Sequence, residues 1–259
     1  NPTNDNTPDY IFFSTLSGTI GYGGSCSSNS NDNISKAMDN NTITFNTLAE
    51  GTYDNCTVRV TTNSNVVSDN LSVNSFKIDT ITPTLDEVTP VSTPYKDSTP
   101  NYTFSSNETG TITYGGSCSS TTTSATIDNN TITFKSLADG TYDNCTISVT
   151  DNSSNPSDNL SVSSFTIDTI KPTLNEVTLV PTPDNDSTPN YTFSSNEIGT
   201  ITYGGSCSSS YNDNISVDGD NKITFDALPD GKYDNCTITV TDNASNASSS
   251  RSVKGKDRR

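Results

Sequence analysis

Apolar residues in this chain come in short runs that alternate with polar ones, and the runs recur. In Asn101–Ser106 (NYTFSS) Tyr102 and Phe104 alternate with Thr and Ser. In Thr111–Cys118 (TITYGGSC) the residues Ile112, Tyr114, Gly116 and Cys118 share one phase, and in Thr131–Phe134 (TITF) so do Ile132 and Phe134. Cys145, Ile147 and Val149 follow, then Leu160, Val162, Phe165 and Ile167 within Asn159–Asp168. A period of two places alternate side chains on opposite faces, so each run predicts a half-buried strand. Thr84–Val91 (TLDEVTPV), with Leu85, Val88 and Val91, predicts an opening strand. Turn signals separate the runs: Pro94 with Asp97–Pro100, Asn107–Gly110, and Asp139-Gly140. Gly115-Gly116 predicts a bulge or bend, and the polar Ser119–Asn130, whose length varies between copies, predicts a surface loop. No helical period is present.

The pattern is copied. Asp97–Ser120 and Asp186–Ser209 differ only at Thr109 and Ile198, and a looser copy runs from Asp5 to Ser28. Cys26, Cys118 and Cys207 are spaced 92 and 89 residues apart, and Cys56, Cys145 and Cys236 are spaced 89 and 91 apart. A period near 90 suits an independent domain rather than a solenoid unit. About seven short strands per period suggest a sandwich. The expected fold is therefore all-β: three tandem immunoglobulin-like β-sandwich domains in a rod-like array, over residues 1–80, 81–170 and 171–259. The joints Asp79–Pro83 and Asp168–Pro172 lie in Ile-Asp-Thr-Ile-x-Pro segments that proline stiffens.

The first repeat lacks a counterpart of Thr84–Val91. The third places Arg251, Val253 and Lys256 where Leu160, Val162 and Phe165 stand. Two readings stay open: a piece of a longer protein, or a filament subunit whose open sheet edge accepts a neighbour's strand.

The six cysteines allow fifteen pairings. The repeat selects one per unit: Cys26–Cys56, Cys118–Cys145 and Cys207–Cys236. Zinc is the rival, but there is no histidine and no CxxC spacing. Closing such loops stabilises a domain by about 3–4 kcal/mol in the chain-entropy model, and disulfides imply an oxidising, extracellular compartment.

Composition narrows the chemistry. Hydrophobic residues make up 29%, so each unit has a thin core in which a covalent staple matters. The net charge of −17 argues against nucleic acid. Five basic residues fall in the last nine, Arg251, Lys254, Lys256, Arg258 and Arg259, as a solvated tail or a docking segment. There is no apolar run of membrane-spanning length and no signal peptide, so any such segment is expected outside this sequence. Without histidine there is no His-based triad or general base, so an enzyme is not expected.

The junction and turns carry a resemblance: IDTIKPT at Ile167–Thr173, DNDSTP at Asp184–Pro189, DGKY at Asp230–Tyr233 and TDNASN at Thr241–Asn246. In that order the chain resembles the bacterial immunoglobulin-like repeats of large surface adhesins, of the biofilm-associated-protein type. It departs from them in its cysteine pair and in Ser245, where glycine is usual. The resemblance implies a surface-exposed stalk and calcium at domain ends and junctions. Turn carboxylates that a sandwich gathers at one end are the candidate ligands: Asp79, Asp97, Glu108 and Asp151 with Asn155, then Asp168, Asp186, Glu197 and Asp242 with Asn246. The competing reading is that these residues cap their own turns. In the first repeat Leu16 and Thr62 replace the Glu and the Asp, so a missing or weak site is expected there. Tyr53, Tyr142 and Tyr233, three residues before a cysteine, suggest a tyrosine corner or a ring packed over a strand edge.

Three functions follow as expectations. The first is a semi-rigid stalk of a bacterial adhesin, whose partners are neighbouring repeats. The second is a head-to-tail subunit of an extracellular filament. The third is a module binding host or matrix glycan or protein through the variable loops Ser27–Asn41, Ser119–Asn130 and Ser208–Asp220.

Overall fold

The computed structural model describes residues 2–29, 33–211 and 214–253, and the backbone alone of 257–258. The described residues form strands and no helix, and the strands build tandem immunoglobulin-like β-sandwiches. In the second unit one sheet runs in the order Asp128–Thr133, Asn101–Ser106, Leu85–Thr89. The facing sheet runs Ser124–Ala125, Gly110–Gly115, Thr146–Asp151, Leu160–Ser161. A short pair, Gly140–Tyr142 with Phe165–Ile167, closes the side. The third unit repeats this arrangement. In the first unit Asp9–Ser14 pairs with Asp39–Thr44, and no strand lies on its other edge among the described residues.

Alternation puts the predicted faces inside. Tyr102 and Phe104 are 1% and 0% exposed, and Ile132, Phe134, Ile147, Val149, Phe165 and Ile167 join them in one core. Stacked rings run through it: Phe134 lies 6.1 Å from Phe165, and Tyr142 lies 5.3 Å from Phe165. Each unit has its own core of this kind.

The disulfides are Cys26–Cys56, Cys118–Cys145 and Cys207–Cys236, with Cα atoms 5.3 Å apart in each. All six cysteines are buried. Each bond ties two neighbouring strands of one sheet just past their last pair, Gly115↔Thr146 in the second unit. Asn144, of the repeated YDNC, clamps the same spot. Its Oδ1 accepts from the Ser117 N–H at 3.1 Å and its Nδ2 donates to the Ser117 Oγ at 3.1 Å. Gly116 has φ +70° there, and a Cβ on it would sit 2.0 Å from the Asn144 carbonyl oxygen, so only glycine fits.

All three corner tyrosines hydrogen-bond back to the chain. Tyr53, Tyr142 and Tyr233 donate to the carbonyls of Ala49, Ala138 and Pro229, four residues back, at 3.0, 2.9 and 2.7 Å. The first two also stack on Phe76 and Phe165. In the third unit the Phe165 position falls to Lys256, which lies outside the described residues, as do Lys254 and Arg259.

In the opening strand Val88 is 43% exposed, and its counterpart Val177 is 48% exposed. Glu87 takes the inward phase instead, and its carboxylate accepts from the Ser163 N–H and hydroxyl at 2.9 and 2.6 Å. Ser119–Asn130 is not a plain surface loop. Ser124–Ala125 pairs with Gly110 and Thr111, and Ala125 is buried. Buried Asn130 folds the turn, accepting from the Thr126 N–H and donating to the Thr126 carbonyl, each at 2.8 Å. Polar residues are cohesive here because their amides stand in for backbone partners.

Candidate metal centre at the junctions

Each junction begins where a unit's last strand ends. Phe76–Ile78 delivers Asp79 to the top of the second unit, and Phe165–Ile167 delivers Asp168 to the top of the third. The turn after Asn101–Ser106 supplies Glu108, because the Ser106 hydroxyl donates to the Glu108 carbonyl and fixes the bend. The end of Thr146–Asp151 supplies Asp151. Carboxylate oxygens of Asp79, Glu108 and Asp151 lie within 4.8 Å of one another, and so do those of Asp168, Glu197 and Asp242. Asp151 and Asp242 are buried, and the others are partly so. A cleft of about 490 Å³ opens over the first set, with Glu50, Lys77 and Ile81 on its rim.

Hydrogen bonds make the two ends of each junction one piece. Asn155 Nδ2 donates to the Asp79 carbonyl and to Asp151 Oδ2, both at 2.8 Å. Asn246 Nδ2 donates likewise to the Asp168 carbonyl at 2.8 Å and to Asp242 Oδ2 at 2.9 Å. Both asparagines are buried. Asp151 Oδ1 meanwhile accepts from the backbone of Ser153 and Asn155. Asp139 accepts from the Thr169 N–H at 3.0 Å, and Glu50 accepts from that of Thr80 at 2.8 Å.

The electrostatics are those of crowded anions. Burial, and then the Asp79 and Asp151 charges, push the Glu108 carboxyl above the usual glutamate range. Burial with Asp168 and Asp242 does the same to Glu197. The junctions differ in one respect. Lys77 Nζ sits 2.9 Å from Asp79 Oδ2 and holds that carboxyl below its ordinary value, chiefly by hydrogen bonding. The matching position before Asp168 is Thr166.

Of the ten ligand candidates, six carboxylates are brought together as two sets of three. Asn155 and Asn246 adjoin them as donors that tie the junction, with their amide nitrogens engaged. Asp97 and Asp186 are not brought to either set. Asp97 accepts from the Thr99 N–H and hydroxyl, both at 2.8 Å, and these bonds lower its pKa. Asp186 closes the same turn with Thr188, and Asp5 closes it with Thr7. The signal was present in the sequence: Asp-x-Thr marks a turn that occupies its own carboxylate. In the first unit Leu16 and Thr62 hold the positions of Glu108 and Asp151, and Leu16 is 41% exposed.

The donors at each junction are all oxygens from separate segments. That set suits a hard cation such as calcium and not zinc, for which the chain has no histidine and only bonded cysteines.

No family model and no curated protein matches the chain. Among solved structures it is similar to one described as Clostridium thermocellum CbhA fibronectin(III)-like modules, with 13% identity and a TM-score of 0.38, over 68% of this chain and 94% of that one. The sandwich assignment rests on the sheets themselves.

Proposed function

We propose that this chain is an extracellular structural repeat region, the semi-rigid stalk of a bacterial surface adhesin, in which calcium at the junctions sets the stiffness. The observation that carries the reading is the repeated junction. Three carboxylates within 4.8 Å stand beside an asparagine that ties one unit's carbonyl to the next unit's turn. Three like charges held this closely repel one another, and a divalent cation among them converts the repulsion into a cross-link between domains. The Asp79 and Asp168 carboxylates directly follow the preceding unit's last strand, so such a cross-link resists bending at the joint.

Two further observations support the compartment and the role. The buried disulfides fit an oxidising environment. The resemblance of the turn and junction motifs to adhesin repeats fits a stalk. The test is small-angle scattering of the full chain with calcium and with chelator. Calcium should lengthen the maximum dimension and narrow the distance distribution. Identical curves at saturating calcium and in chelator would sink the proposal.

A further inference from the structure

The Asp9–Ser14 strand has a bare edge among the described residues. In the next two units that edge carries Leu85–Thr89 and Leu174–Thr178. Two open grooves follow it in the first unit. One, of about 340 Å³, is lined by Phe12, Leu16, Val58, Val60 and Leu71. The other, of about 290 Å³, is lined by Tyr10, Phe45, Val73 and Phe76.

The second unit shows what such grooves hold. Leu85 and Leu160, the counterpart of Leu71, both pack on its core, and Val91 is buried in the same core at 6% exposure. The third unit buries Leu174 and Val180 in the same way. Where the strand is lacking, the cover is lacking too. Tyr10 and Phe76 are partly exposed, whereas Tyr102 and Phe165 are each 1% exposed, and Leu71 is 44% exposed. The polar contact has its counterpart as well. Glu87 accepts from the Ser163 backbone N–H, and Asn74 holds that position in the first unit.

Residues 85–91 and 174–180 read LDEVTPV and LNEVTLV, so they share the pattern Leu-x-Glu-Val-Thr-x-Val. We infer that the free edge of Asp9–Ser14 is an acceptor for one further segment of this Leu-x-Glu-Val-Thr-x-Val class. The copies at residues 85–91 and 174–180 are already paired in their own units, so the occupant is a further copy of the segment. Main-chain ladder bonds to Asp9–Ser14 supply the pairing, Leu enters the groove by Leu71, the last Val enters the groove by Phe76, and Glu meets the Asn74 N–H.

The test adds a synthetic peptide of residues 84–92 to the full chain and reads amide hydrogen exchange. Exchange in residues 9–14 should slow about tenfold or more, saturably. A peptide with Glu87→Lys and Val91→Asp should need about tenfold more to do so. A second arm removes the cost of association by fusing residues 84–92 directly to Asn1, which reproduces the spacing of the second unit. The fusion should protect the same amides and raise the denaturant midpoint of the first unit. A fused chain with unchanged exchange and midpoint overturns the inference. So does a peptide effect that the altered peptide reproduces in full, or a dimer of the unfused chain that the peptide fails to dissociate.

Discussion

At the scale of single residues, polar side chains do much of the cohesive work. Asn155 shows this best. One amide nitrogen bridges the Asp79 carbonyl and the Asp151 carboxylate at 2.8 Å each, inside a buried junction. Replacing it by alanine leaves a buried acceptor without its donor, which costs about 1–3 kcal/mol. Asn155→Ala should therefore lower the unfolding free energy of the second unit by that amount in a urea titration, with Asn246→Ala doing the same in the third. Glu108 sets a pH dependence of known sign. Its carboxyl is raised by burial and by Asp79 and Asp151, so the folded state holds more protons than the unfolded one between the ordinary glutamate value and the raised one. Stability of the metal-free chain should fall as pH rises through that window and stay reduced above it. Thermal melts in chelator across the acid range check this, and Glu108→Gln should flatten the fall. Asp79 acts in the opposite sense and in a different window. Lys77 depresses its value, so its contribution is lost only as pH drops below the ordinary aspartate range.

At the scale of elements, each unit is a sandwich closed by a staple at one end and a tyrosine corner beside it. Cys118 and Cys145 extend the ladder of Gly110–Gly115 and Thr146–Asp151 by one covalent rung. The pair Cys118→Ser with Cys145→Ser should cost the second unit about 3–4 kcal/mol by the loop-closure account, read as a shift in its denaturant midpoint. The third unit should unfold before the second. Its closing pair sets Gly231 opposite Arg258, where the second unit sets Gly140 opposite the buried Ile167. Proteolysis along a denaturant series should nick residues beyond Thr224 before any site in residues 84–170. These elements were largely legible in advance, because a period of two with one buried face fixes register as well as strand identity. Asn101–Ser106 shows this, with Tyr102 and Phe104 buried as expected. What escaped was the two-residue Ser124–Ala125 strand, held by Asn130 rather than by an apolar pattern. The register shift between Thr103 and Phe104 escaped too, and it leaves Val88 outward and Glu87 in the inner phase.

At the scale of the whole molecule, the proposed role places the function in the joints. A net charge of −17 over 259 residues leaves much like-charge repulsion, and two sets of three carboxylates stand where domains meet. The joint carboxylates were visible in the sequence as turn acids at a fixed spacing. Their partition was not, because Asp97 and Glu108 look alike until the Thr99 turn takes one of them out. The asymmetry between joints was also hidden, since Lys77 gains meaning only once its strand carries it to Asp79. The most direct measurement is a calorimetric titration of calcium into the full chain. Calcium bridging at the joints predicts two binding events, the tighter at Asp168, Glu197 and Asp242, where Thr166 stands in place of Lys77, and both abolished by Glu108→Gln together with Glu197→Gln. No heat of binding, three equal sites, or binding unchanged in the double variant would contradict it.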